Sequence, residues 1–341
     1  MTMSRLFSIS HNVGWLAAAF VIVVWGITFA ATRALLEDFS SLEVNLARFA
    51  LAWAALAMWE MCAGVCAGRH ARRSRGENPA DGVKDAGQSR FRRELLFAAM
   101  GLTGVALYQF LENCAIYYTN ASNVAILVSF GPIVTAVLTR IFSYDRSLSS
   151  KLVLGSLVAV CGVTLVALNG VFNFQLRPIG DLMALGAMLS WGVYSVLVDR
   201  VNALGIAPAY AVRRSFGWAL ALMAPLAIWG VTEGGYVALD GSYSVTLDLA
   251  ANIERFSSVR NLCNIAFLGL LASALCFGLW NFACRALGVV RATVGLYLIP
   301  VVGVVFAVVF LGERLAAMSV GGGVLILVGV AIANLKKEEK R

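Results

Sequence analysis

"SFGPIVTAVLTRIFSYDR" occupies Ser129–Arg146, and "YLIPVVGVVFAVVFLGER" occupies Tyr297–Arg314. Each stretch runs from a proline through a long apolar segment to an acid followed by arginine. Pro132 and Asp145 are 13 residues apart, as are Pro300 and Glu313, and the two prolines are separated by 168 residues. One arrangement written twice at that distance describes a chain made of two copies of a single unit.

The copies extend well beyond these stretches. "VWGITF" at Val24 matches "SWGVYS" at Ser190, which places Trp25 and Trp191 166 residues apart. Arg48 pairs with Arg214 at the same spacing, and Asn113 pairs with Asn281 at 168. Gly155 and Gly162 correspond to Gly322 and Gly329. The matches keep one order over nearly the whole chain, a register that chance matching of apolar residues would not hold.

The copies are built for lipid. The chain has 341 residues, of which 60% are hydrophobic and 13% charged, with a mean hydropathy of +0.80. A soluble domain carries about a quarter charged residues, and one core could not hide this much apolar surface. Runs such as Val13–Thr32 and Ala292–Leu311 reach the ~20 residues of a membrane-spanning helix. The first run is read as a membrane helix and not a signal peptide, because it is of full span length and no small-x-small cleavage site follows it. The net charge of +8 sits in connections between apolar runs. No basic face with aromatic platforms appears, so nucleic acid is excluded as a partner. The seven cysteines form no CxxC pair, and His11 and His70 lie in polar flanks. No metal site and no cofactor are expected.

Ten helices are predicted, over 13–33, 43–65, 95–117, 121–141, 150–168, 181–199, 209–231, 261–281, 287–310 and 317–335. Lipid offers backbone groups no partner, so each span must be helical. Placing the basic connection 66–94 in the cytoplasm puts both termini there too. About 19 of the lysines and arginines then fall inside and five outside. The outer connection 232–260 contains "YVALDGSYSVTL", whose alternation around Asp240-Gly241 signals a short hairpin or surface lid.

Five spans per copy is an odd number, so the second copy enters the membrane from the opposite side. The expected fold is therefore an all-α integral membrane protein of ten transmembrane helices, arranged as two inverted five-helix repeats (13–168 and 181–335). Inverted repeats of this kind underlie many secondary transporters. Pro132 and Pro300 are expected to break or kink the fourth and ninth helices, because proline removes a backbone donor. The acid-arginine pairs at 145–146 and 313–314 then cap neighbouring helices or gate at opposite faces.

Polar groups within spans are candidate substrate contacts. The third helix carries Tyr108, Gln109, Glu112 and Asn113 in "YQFLEN", with Tyr108 and Glu112 on one face. Glu112 is suited to accept a proton or hold a substrate amine, and a structural pair with Arg48 is the alternative. Arg48 and Arg214 are explained most simply by snorkelling to the interface. Trp25 and Trp191, each followed by glycine, suit a cavity floor and close helix contact. Thr28, Tyr194 and Ser195 follow one turn later. Trp280 and Asn281 mirror Glu112 and Asn113, and Asn123 and Tyr297 complete the set. The Gly321–Gly323 run suits tight helix packing.

These residues carry a resemblance. "VWGITF", Arg48, "AIYYTNASNVAILVSFGP" from Ala115 to Pro132, "FLGERL" from Phe310 and the glycines after it resemble the EamA-type proteins of the drug/metabolite transporter superfamily. The chain departs from the pattern in "SYDR", where a Gly-Glu-Arg form is usual, and in its long loop 66–94. The resemblance implies a multi-pass carrier of a bacterial inner membrane, usually an exporter of amino acids or other small metabolites. It also implies a central cavity lined by the first, third, fourth, sixth, eighth and ninth helices, with the fifth and tenth packed away from it. The expected partners are a small-molecule substrate and the lipid bilayer, while oligomeric state is not readable. A membrane-embedded enzyme and a channel are the alternatives. No intramembrane histidine, paired acids or filter motif supports either. Only Arg48 and Arg214 are near-cavity cations, which favours neutral, zwitterionic or aromatic solutes over phosphorylated ones.

Overall fold

A computed structural model of the protein describes residues 3–71, 85–119, 121–142, 149–168, 177–232, 254–311 and 316–335. The described residues contain helices and no strand. In chain order we label α1 (Met3–Leu35), α2 (Ser41–Ala71), α3 (85–118), α4 (121–142), α5 (Ser150–Leu168), α6 (Pro178–Ala203), α7 (Pro208–Thr232), α8 (Val259–Leu287), α9 (289–311) and α10 (Ala317–Asn334). Nine of these meet the length and hydropathy of a membrane span among the described residues, and α7, 25 residues long, is the tenth long helix. The chain is a multi-pass, all-α membrane protein.

Several helices outrun the expected edges. Helix α1 begins at Met3 and not near 13, α2 continues to Ala71, α3 begins at Asp85, and α8 runs to Leu287. A helix satisfies its own backbone in water as well as in lipid, so polar flanks extend it past the hydrocarbon, and hydropathy does not mark its end. Local chemistry sets other ends. Ser40 and Glu43 form a reciprocal capping box at the start of α2, with the Ser40 N–H donating to Glu43 Oε2 at 2.8 Å and the Glu43 N–H to Ser40 Oγ at 3.3 Å. Ser149 Oγ accepts the Leu152 N–H ahead of α5, and Pro178 occupies the first turn of α6. The α8–α9 connection is the single residue Gly288, whose φ of +86° is open to glycine and costly for other residues.

The fourth and ninth spans are interrupted as their prolines predict. In α4 a turn at Ser129–Phe130 separates Ala121–Val128 from Gly131–Phe142, just ahead of Pro132. In α9 the interruption is a tight 3₁₀ turn, Gly295–Leu298, just ahead of Pro300. A second matched irregularity was not anticipated. Helix α3 widens into a π-helical stretch at Leu102–Leu107, and α8 does so at Phe267–Leu275. Adding 168 to the first stretch places it inside the second. The residue pairs 145–146 and 313–314, and the expected hairpin at 236–247, lie outside the described residues.

Packing follows the duplication crosswise. Helix α3 packs on α6 as α8 packs on α1, α3 meets α7 as α8 meets α2, and α4 packs on α6 as α9 packs on α1. Gly26 lies against Val302 and Gly192 against Val134, and these are equivalent contacts in the two repeats. The equivalent helices α5 and α10 pack directly on one another. A Cβ on Gly162 would lie 2.6 Å from the Gly322 carbonyl oxygen, and one on Gly155 2.5 Å from that of Gly329. Residue number rises along α5 as it falls along the facing part of α10, so these two equivalent helices run antiparallel. The repeats are inverted.

Candidate functional site

The two copies of the Trp-Gly motif meet at the middle of the bundle. The glycines let α1 and α6 approach α9 and α4 closely, and this fixes the turn of helix on which each tryptophan stands. The Trp25 and Trp191 rings cross edge-on with centroids 5.9 Å apart. Phe277 and Trp280 of α8 lie 5.5 and 5.4 Å from Trp25. Tyr108 of α3 and Tyr194 of α6 lie 5.2 and 5.1 Å from Trp191. Phe277 continues the cluster to Phe216 of α7 and Phe49 of α2. Apolar burial on this scale, with edge-to-face geometry adding about 0.5–1.5 kcal/mol per pair, makes a stiff aromatic floor.

The polar groups around this floor are distributed unequally. One end of the bundle carries both described termini; we call it the terminal end. Toward it, Trp280, Asn281 and Tyr194 are 2% exposed or less. There the Asn281 Nδ2 donates to the Tyr194 hydroxyl at 3.0 Å and to the Phe277 carbonyl. Toward the opposite end, Trp25, Thr28, Tyr108, Gln109, Glu112 and Asn113 are only half-buried. The Tyr108 hydroxyl donates to Glu112 Oε1 at 2.8 Å. Thus the half of the site facing the terminal end is fully buried, and the half facing away from it is partly exposed.

Arg48 is the principal correction to the sequence reading. It does not snorkel. Its side chain turns into the bundle, where it is 7% exposed, stacks on Phe49 and donates from Nε to Ser273 Oγ of α8 at 3.0 Å. It also forms no ion pair with Glu112 among the described residues, although the two groups lie within electrostatic reach. Among the described residues neither Nη group of the guanidinium has a hydrogen-bond partner, and one Glu112 oxygen has none. Arg214 instead pairs with Glu94, which also accepts from the Trp218 indole. It braces α7 against α3 toward the terminal end.

Other candidates are placed elsewhere. The Asn113 Nδ2 donates to Ser41 Oγ and ties α3 to α2. The Asn123 Nδ2 donates to the Thr119 hydroxyl and to Asp181, joining α4 to the start of α6 away from the aromatic floor. Ser195 and Thr28 return their hydroxyls to the carbonyls of Trp191 and Trp25 within their own helices. Tyr297 is buried in a different cluster, with Val160 and Val163 of α5 and Ile326 of α10. Sequence reasoning missed Ser273 and Phe277. Their spacing to Trp280, one helical turn at a time, was the available signal. An open groove of about 600 Å3 between α4 and α5, lined by Arg140, Ser149 and Leu154, lies at the terminal end away from the floor. Among the described residues no group of three His, Cys, Asp or Glu gathers to hold a metal ion.

The arrangement resembles transporters throughout its length. A "Probable terminal-alkyne amino-acid exporter" of Streptantibioticus cattleyicolor is 26% identical over 331 residues, covering 95% of this chain and 94% of that protein. A "Probable amino-acid metabolite efflux pump" of Escherichia coli is 24% identical over 238 residues, covering 70% and 75%. A solved crystal structure with a TM-score of 0.66 covers 95% of this chain and 98% of its own, and at 17% identity it speaks for the fold alone. The profile of the EamA-like transporter family matches residues 12–168 and again 178–335. Two inverted bundles meeting at a shared aromatic floor, and a family match falling once on each, place the chain in the EamA-like transporter family.

Proposed function

We propose that this transporter exports small zwitterionic solutes, amino acids or their aromatic relatives, across the inner membrane by alternating access, with both termini in the cytoplasm. One observation carries the reading: the Arg48 guanidinium and the Glu112 carboxylate, each with hydrogen-bonding capacity left over among the described residues, lie within electrostatic reach of one another beside the aromatic floor. A carboxylate is matched by the arginine fork, an ammonium group by the glutamate, and an apolar side chain by the rings. The described conformation is the one open away from the cytoplasm, since the site is fully buried toward the terminal end at Trp280, Asn281 and Tyr194. The excess of lysine and arginine on the terminal side supports that orientation. The printed names of the two relatives support export and the amino-acid class.

The test is counterflow in proteoliposomes loaded with each common amino acid. Saturable exchange is expected for a subset with apolar or aromatic side chains. It should fall at least tenfold in Glu112→Gln and Arg48→Gln, compared at equal amounts of monodisperse protein in the liposomes. Unchanged exchange in both variants would remove these groups from recognition. Non-saturating flux without counterflow would make the protein a channel.

A further inference from the structure

The two central tryptophans are equivalent by the repeat yet differ in their hydrogen bonds. The Trp25 indole N–H donates at 3.0 Å to the Ala272 carbonyl, inside the π-helical stretch of α8. The Trp191 indole N–H is buried and has no partner among the described residues, and Trp191 is 8% exposed. The repeat identifies the acceptor that Trp191 lacks. Subtracting 168 from Ala272 gives Gly104, inside the π-helical stretch of α3. The neighbours of Trp191 already touch that place. Ser190 Oγ donates to the Thr103 carbonyl at 2.7 Å, and the Tyr194 ring leaves no room for a Cβ on Gly104. A wide turn leaves carbonyls off the ordinary ladder and available to a side-chain donor, and a buried N–H without an acceptor is costly.

We propose that the two indoles form a reciprocal latch. In the conformation described here, Trp25 holds the Ala272 carbonyl and Trp191 is released. In the conformation opened toward the terminal end, Trp191 holds the Gly104 carbonyl and Trp25 is released. Each bond ties one repeat's first helix to the other repeat's third, so each is made in one packing only. The latch rests on the alternating-access reading given above. It assigns the two tryptophans opposite effects on one equilibrium, where a merely structural role would give effects of the same sign.

Cys284 reports on that equilibrium. It lies in α8 one turn beyond Trp280 toward the terminal end, is 3% exposed and is within electrostatic reach of Asp199 of α6. Opening of the terminal end exposes it. With the other six cysteines replaced by alanine, reaction with N-ethylmaleimide is followed by mass spectrometry in purified, monodisperse protein without solute. Trp25→Phe is expected to speed labelling roughly fivefold, the factor one net hydrogen bond is worth. Trp191→Phe is expected to slow it by a similar factor, and the double variant returns near the starting rate. Movement of both single variants in one direction, or of neither, overturns the latch. So does a contrary shift in whichever variant alone is obtained folded. Labelling needs no substrate, so this outcome is read separately from the counterflow test.

Discussion

Adding one methyl group to Gly162 tests the inverted packing at one of its closest approaches. A Cβ there would stand 2.6 Å from the Gly322 carbonyl oxygen and 2.8 Å from Ile326 Cγ1, and a Cβ on Gly322 would stand 2.6 Å from the Gly162 carbonyl. Ordinary contact begins at 3.4 Å, so α5 and α10 must part by about 0.8 Å. Overpacking of that kind costs about 1–3 kcal/mol, which lowers the unfolding midpoint by a few degrees for a chain of this size. The two positions share one gap, so the helices part once for both. Gly162→Ala/Gly322→Ala should therefore lose clearly less than the sum of the single variants. Gly321→Ala and Gly323→Ala, which meet open space, serve as controls and should leave the midpoint unchanged or slightly raised. Thermal unfolding in detergent, followed by the fluorescence of the eight tryptophans, reads all five variants. Should Gly162→Ala behave like Gly321→Ala, or the losses simply add, the antiparallel register of α5 on α10 is wrong.

Three further outcomes follow. Arg48→Lys should recover only part of the exchange lost in Arg48→Gln, because a point ammonium cannot hold Ser273 and a solute carboxylate through one planar fork; initial counterflow rates measure this. Tyr194→Phe removes the hydroxyl that accepts from Asn281 and should lower stability by about 1 kcal/mol, seen as a small fall in the unfolding midpoint with the protein still monodisperse. The Asp38 carboxyl is hydrogen-bonded by Asn261 and then Arg260, which hold it below its ordinary value of 3.8. A carboxylate depressed on folding contributes stability above its unfolded value and loses it as pH falls through the folded one. The midpoint contribution from Asp38 should therefore hold from neutral pH down to about 3.8 and disappear below it, and Asp38→Asn should flatten that limb of a midpoint-against-pH curve.

Much of the architecture was legible because it is written twice. Trp-Gly, Arg, Asn and Pro keep their spacing across 166 to 168 residues, and an odd span count leaves inversion as the only threading. Helix ends were less legible: the eighth helix was expected to end at 281 but runs to Leu287 and stops at Gly288, the second starts from the capping box at Ser40, and Met3–His11 and Asp85–Glu94 extend helices past their apolar runs. The candidate site was read less well. Arg48 turns inward because its acceptor, Ser273, lies on a helix 225 residues away, and nothing near Arg48 in sequence announces it. Tyr297 sits in the tight turn before Pro300, where regular helical spacing no longer predicts a facing, and it points toward α5 and α10 instead of the floor.

The wide turn at Leu102–Leu107 also sets the azimuth of everything that follows it in α3. Each residue advances a regular helix by about 100°, so excising a single residue there, Leu107 for instance, would swing the chain onward to Tyr118 by more than a quarter circle. Glu112 would then stand where Leu111 now packs beside Gly186 of α6, and Asn113 would take the inward place, with not one side chain substituted. The carboxylate's aim is thus held by the count of residues in a coil, and a gap in that count would silence the carrier as surely as loss of the acid itself.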